Sequence, residues 1–321
     1  MSFSSFKDSK LIFENFRKFV TEEEESEEAA PVAGGMSTSD AYTMTLPEFV
    51  SSLQSNKKDF ITAVMNGLKD GSGKDDRIKI EPATVKVSAL RPTQAEVVFS
   101  KSIPFALQRP EVFMEYFTSQ GPFKVGPPGN DAIITLNGSY ILDGHHRWSS
   151  LFCVNPKSSM HTFDIKANVN PINMLKLMQA SIKAYAGKVP SNKGGGVNLF
   201  TIDPKTLSSE VRKLITPDLA KQYMDLGLLG QIKEDVETGR AGRQEVEVYK
   251  KILGIYTRNV SLMQKSNTPA KGASSREPMP QTDSPAGSKV SAGGPTPAAL
   301  EPLEKGMVDF RSPHAIKKAA E

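Results

Sequence analysis

Three features of the sequence predict an α+β fold, a small mixed sheet carrying helices. The stretch DAIITLNGSYILDG, residues 131–144, sets two apolar runs on either side of Asn137-Gly138. That pair tolerates positive φ at both centres of a type I′ turn, so the stretch reads as a β-hairpin. Residues 78–90, IKIEPATVKVSAL, alternate polar and β-branched side chains as a strand does. On both sides of these strands apolar residues recur at the helical period.

Taken in order, residues 1–40 read as a flexible N-terminal leader. Phe6, Leu11, Phe13, Phe16, Phe19 and Val20 form the stripe of a short amphipathic helix, and the acidic TEEEESEE and the Pro, Gly and Ser of the following stretch mark a linker. Residues 41–77 form a helical segment, with Leu46, Phe49, Val50 and Leu53 in one run and Phe60, Ile61, Val64, Met65 and Leu68 in a second, broken at SNKK. The sheet-bearing domain is assigned to 78–190. Its strand at 78–90 is followed by a helix over RPEVFMEYFTSQGP, with Pro110 near its start and Gly121-Pro122 stopping it. After the hairpin, RWSSLFCVNP is a helix ended by Asn155-Pro156, HTFDIKANV a strand, and PINMLKLMQASIKAYAG a helix with Pro171 in its first turn and Gly187 past its end.

Residues 191–263 read as a C-terminal helical region. The glycines of NKGGGVN lack the Lys-Ser or Lys-Thr ending of a P-loop and read as a flexible connection. Residues 264–302, rich in Pro, Gly, Ser, Thr and Ala, read as a disordered linker, because such a composition buries too little apolar surface to offset the entropy of ordering. Residues 303–321 form a tail, with a terminal helix at HAIKKAAE.

Composition narrows the function classes. A net charge of +4, from 40 basic and 36 acidic residues, creates no field that compels binding to nucleic acid or anionic lipid. Cys153 is the only cysteine, so no internal disulfide forms, which fits a reducing cytoplasm. Among Leu151, Phe152 and Val154 it reads as a small buried hydrophobe rather than a nucleophile. No apolar run approaches the roughly 20 residues of a membrane span, so we expect no membrane partner.

The stretch YILDGHHRWSSLF, residues 140–152, concentrates the chemistry. With a hairpin strand ending at Leu142 and a helix opening near His145, Asp143 and Gly144 form the turn and His145, His146 and Arg147 ride the first helical turn. Unpaired N–H groups and the positive end of the helix dipole gather there. Gly144 admits a ligand close to the backbone, Arg147 can grip two phosphate oxygens, and the arrangement is that of an anion site. Asp143 has three available roles: orienting a histidine, holding magnesium near phosphate, or capping the helix. Adjacent histidines on a helix point about 100° apart and share no ligand face, which disfavours zinc, and Trp148 is expected to pack the helix onto the sheet.

The strand, Asp-Gly-His-His-Arg, helix arrangement resembles the ParB/sulfiredoxin-like superfamily, including its ParB-like nuclease domains and its relatives that phosphorylate free serine. VSALRPTQAEVVFSKSI is similar to that family's first box, and the resemblance covers about residues 78–185. It implies that Gly144, His145, His146 and Arg147 contact nucleotide phosphate, that Asp143 assists a metal or the transferred group, and that His145 takes part in catalysis. It also implies a glutamate base from the first box, for which Glu96 is the nearest match and Gln94 the alternative. The implied cofactors are ATP or ADP, with CTP as a further candidate, and magnesium. A cysteine that sulfiredoxins place before the His-Arg pair is here His145, so sulfinic acid reduction is not expected. The leader LIFENFRKFVTEEE is similar to leaders of proteins from large tailed phages, which would place the chain in the host cytoplasm or the virion.

Three functions follow as expectations. The first is a nucleotide-binding enzyme of phosphoryl transfer or hydrolysis, acting on a small-molecule or protein acceptor that the sequence does not name. The second is a ParB-like module that binds or cuts DNA. The third is a packaged or structural phage protein with an inactive site.

Overall fold

A computed structural model of the chain describes residues 43–55, 58–65, 67, 78–125, 133–187, 189, 195–230, 241–279 and 300–308. The leader 1–40 and the terminal helix expected at 314–321 lie outside the described residues. At the centre is a five-stranded mixed sheet of β1 (Lys79–Lys86), β2 (Arg91–Pro92), β3 (Ile133–Leu136), β4 (Tyr140–Asp143) and β5 (Ser159–Lys166). The spatial order is β1-β5-β3-β4-β2. β1 runs antiparallel to β5 and β3 antiparallel to β4, while the β5–β3 and β4–β2 pairs are parallel. The α+β expectation holds in this form.

The hairpin turns where the sequence places it. Asn137 and Gly138 have φ of 52° and 63°, and Ser139 N–H donates to the Leu136 carbonyl at 3.0 Å, a type I′ geometry. The turn is fixed to the sheet by Asp164 on β5, almost wholly buried, whose carboxylate accepts from Thr135 Oγ1 at 2.7 Å and from Gly138 N–H at 2.8 Å and pairs with Lys166. Asn137 adds a reciprocal pair of bonds with the backbone of Ala167.

Both faces of the sheet are covered, so the residues of β3 are all buried and the apolar run shows no polar alternation. On one face lie α3 (Phe99–Leu107), α4 (Pro110–Thr118), α5 (His145–Val154), α7 (Pro204–Leu214), α8 (Pro217–Asp225) and α9 (Ala241–Ser266), around a core that joins Ile133 and Ile141 to Phe113, Trp148, Phe152 and Tyr256. The other face meets α6 (Pro171–Ala186), α1 (Leu46–Gln54), α2 (Lys58–Val64) and the short α10 (Glu301–Glu304), where Leu46, Phe49 and Leu53 pack with Leu175, Met178 and Leu303. Thr45 caps α1 in a reciprocal box with Glu48.

The helices within 191–263 pack on the sheet, with Val211, Tyr223, Ile252 and Tyr256 in the same core. Two expectations need correction. Residues 99–107 form a helix that the sequence reading lacked, because Pro104 lies inside it and proline ordinarily ends helices. Within 264–302, α9 runs to Ser266 and residues 267–279 form an ordered strap, while 280–299 lie outside the described residues. The strap is held by polar contacts rather than apolar burial. Asn267 donates to the Ser88 and Leu90 carbonyls, Ala270 N–H to the Pro92 carbonyl, and Arg91 to the Thr268 and Pro269 carbonyls. It thereby covers the β2 edge of the sheet and ends with Met279 in the core of the opposite face. Among the described residues no helix is long and apolar enough to cross a membrane.

Candidate functional site

β4 delivers the motif. Gly144 is the N-cap of α5 and is left-handed, with φ 92° and ψ 23°. A Cβ there would lie 2.3 Å from Ile133 Cγ2, so a side chain is excluded both by conformation and by the neighbouring strand. Asp143 does not cap the helix; its carboxylate accepts from Arg147 Nη2 at 3.2 Å, one helical turn on. Trp148 packs into the core as expected, with its ring tilted on Phe152 and its indole N–H donating to the Val87 carbonyl at 2.9 Å. Cys153 is fully buried and its thiol is pushed far up by that burial.

The two histidines face the chain rather than an opening. His145 is 4% exposed, and its Nε2 accepts the Thr93 N–H at 3.2 Å. His146 is partly buried, and its Nε2 accepts the Val98 N–H at 3.1 Å. Burial first, then His146, Arg147 and Arg276 for His145 and Arg276, Lys101 and Arg147 for His146, push both imidazoles down to about 3, so both are neutral acceptors at physiological pH. The His145 Nε2 atom, to which the resemblance gave a phosphate contact, is here engaged by the Thr93 N–H. The pair grips the two ends of the 93–98 loop, and the 100° between neighbouring helical side chains is what lets each hold a different N–H.

Other elements tie down the rest of that loop's backbone. Asn198 accepts from Val97 N–H and donates to the Ala95 carbonyl, both at 3.1 Å, and Ala95 N–H donates to Ser274 of the strap at 2.8 Å. Gln94 is buried and donates to the Glu96 carbonyl. Glu96 remains partly exposed and lines an open cleft of about 530 Å³ together with Val98, Gly195, Gly196, Asn198, Thr201, Ser275, Arg276 and Glu277. Of the two candidates for a base, only Glu96 lines the cleft, and none of Asp143, Gly144, His145, His146 and Arg147 does.

Sequence reasoning missed Asn198 and the strap residues, which come from stretches read as linkers. Backbone hydrogen bonds to a sheet edge leave no periodic trace in a sequence, and Arg276, Glu277 and Met279 amid Pro and Ser were the only local signal. No group of three or more His, Cys, Asp or Glu side chains able to hold a metal occurs among the described residues. Magnesium arriving with phosphate oxygens and water needs one or two carboxylates, a requirement that Asp143 or Glu96 meets. Comparison with family models, with curated proteins and with solved structures found no match.

Proposed function

We propose that the chain is a nucleotide-phosphate-binding protein of ParB/sulfiredoxin-like design that transfers or hydrolyses a phosphoryl group in the cleft lined by Glu96, Val98 and Arg276. The observation that carries this reading is the presentation of Glu96. A loop pinned by the two motif histidines, Asn198 and the strap holds one carboxylate at the wall of a cleft whose volume, about 530 Å³, suits a nucleotide. Such rigidity is what a general base requires, because phosphoryl transfer depends on positioning and charge stabilisation more than on covalent chemistry.

In this reading Glu96 takes the proton of the acceptor hydroxyl or of water. Arg147, oriented by Asp143, contributes positive charge at the N-terminus of α5. His145 and His146 act by holding the loop, not by touching phosphate. Magnesium, held by Asp143 or Glu96, would supply charge neutralisation on the phosphate oxygens.

Isothermal titration of the full chain against ATP, ADP and CTP, with and without magnesium, tests the proposal. At least one nucleotide should bind, and Arg147→Ala should weaken it about tenfold or more, the equivalent of a charge-assisted contact of roughly 1.5–3 kcal/mol. Glu96→Gln should bind that nucleotide as the parent does while losing turnover. A parent that binds none of the three rules the reading out.

A further inference from the structure

We infer that Arg276, carried on the strap after α9, anchors the phosphates of the ligand, with Lys101 of α3 as the second cation. The inference rests on the cleft being a phosphate site and moves the main anchor from the motif to a segment distant in sequence.

Arg276 lines the cleft, and among the described residues its guanidinium has no hydrogen-bond or ion-pair partner; nor has the ammonium of Lys101. Lys79, Arg147, Lys166, Lys213 and Lys250, by contrast, are each paired with a carboxylate. The backbone that carries Arg276 is fixed on both sides: Ser274 accepts the Ala95 N–H at 2.8 Å, and Met279 N–H donates back to the Arg276 carbonyl at 3.1 Å, with Met279 itself buried. Lys101 is tied to the same wall, its N–H donating to the carbonyl of Val98 at 3.1 Å. A rigidly mounted guanidinium with unspent donors beside open volume is a preorganised fork for two phosphate oxygens.

The surrounding charges favour the same ligand. Partial burial, and after it the charge of Arg276, depresses Lys101, and Arg276 also contributes to keeping both motif histidines neutral. An anion between them would relieve this like-charge crowding. Glu96 and Glu277 line the same cleft, so a small monoanion meets both signs of charge. A di- or triphosphate, with several negative charges along its length, is the class that gains from Arg276 and Lys101 together.

The full-length parent, Arg276→Ala, Arg276→Lys and Lys101→Ala are titrated with ATP, ADP, CTP and inorganic pyrophosphate in the presence of magnesium, with thermal melting as the check on folding. Arg276→Ala should melt with the parent yet bind roughly tenfold or more weakly, Arg276→Lys should recover part of the loss, and Lys101→Ala should lose less. In hydrogen exchange, pyrophosphate should slow the Ala95 and Met279 amides of the parent and leave those of Arg276→Ala unchanged. If the parent binds a nucleotide and Arg276→Ala binds it equally, the anchor is overturned and the nucleotide reading stands. Pyrophosphate binding that depends on Arg276, without binding of ATP, ADP or CTP, supports the anchor and sinks the nucleotide reading. A parent that binds none of the four overturns both.

Discussion

Glutamine in place of His145 and His146, singly and together, should flatten the dependence of stability on acid. Each imidazole is held at about 3 in the folded protein against 6.5 for the free side chain. The folded value is the lower one, so between these limits the unfolded chain binds more protons and stability falls as pH falls. The contribution is fully present above about pH 6.5 and is lost progressively down to about pH 3. Between pH 7 and pH 5 linkage gives about 2 kcal/mol for His145, and somewhat less for His146, which keeps some solvent contact, or about 3 kcal/mol for the pair. Urea unfolding monitored by Trp148 fluorescence at pH 7, 6 and 5 reads the effect. The parent should lose about 3 kcal/mol more than the double glutamine variant over that range. At pH 7 the variant should itself start lower, by about 1–3 kcal/mol for each N–H, at Thr93 and Val98, that loses a well-placed acceptor. Equal acid slopes for parent and double variant would refute the argument that these rings are buried, neutral acceptors.

Gly144→Ala places a Cβ 2.3 Å from Ile133 Cγ2 in a left-handed conformation, and should cost about 2–4 kcal/mol in urea unfolding; a loss under 1 kcal/mol would mean that β3 yields easily there. Trp148→Ala should cost about 3–5 kcal/mol, since the ring is fully buried and the Val87 carbonyl loses the shorter of its two hydrogen bonds, with nucleotide affinity of the folded fraction changed much less than by Arg147→Ala.

The hairpin was legible because Asn137-Gly138 is a local signal: two residues encode the positive φ that reverses the chain. The motif helix was legible for the same reason, with a glycine at its cap and Asn155-Pro156 at its end. What the histidines do was not legible. Their partners, Thr93 and Val98, lie about fifty residues upstream, and only the pairing of β2 with β4 brings that loop to the start of α5. A histidine in a turn rich in Asp, Gly and Arg looks like ligand chemistry when its burial is unknown. The strap was misread for a related reason. Its order derives from Asn267, Arg91 and backbone groups that meet the sheet edge, and composition reports apolar burial rather than such contacts.

The position of α9 and the strap late in the chain bears on how the protein is made. The motif helix needs Ile252, Tyr256 and Val260 to cover its apolar side, and Asn259 to accept the role of donor to the carbonyls of Cys153 and Val154 that end it. All of these follow it by roughly a hundred residues, which at translation rates of about 5–20 residues per second is a wait of some 5–20 s. During that interval the nascent chain holds β3, β4 and α5 without their cover and with the β2 edge bare, a state open to pairing with other chains. Synthesis halted before α9 therefore yields a polypeptide that contains the whole motif without the cover of its helix, and the cleft, walled in part by Ser275, Arg276 and Glu277, exists only once the strap has been made.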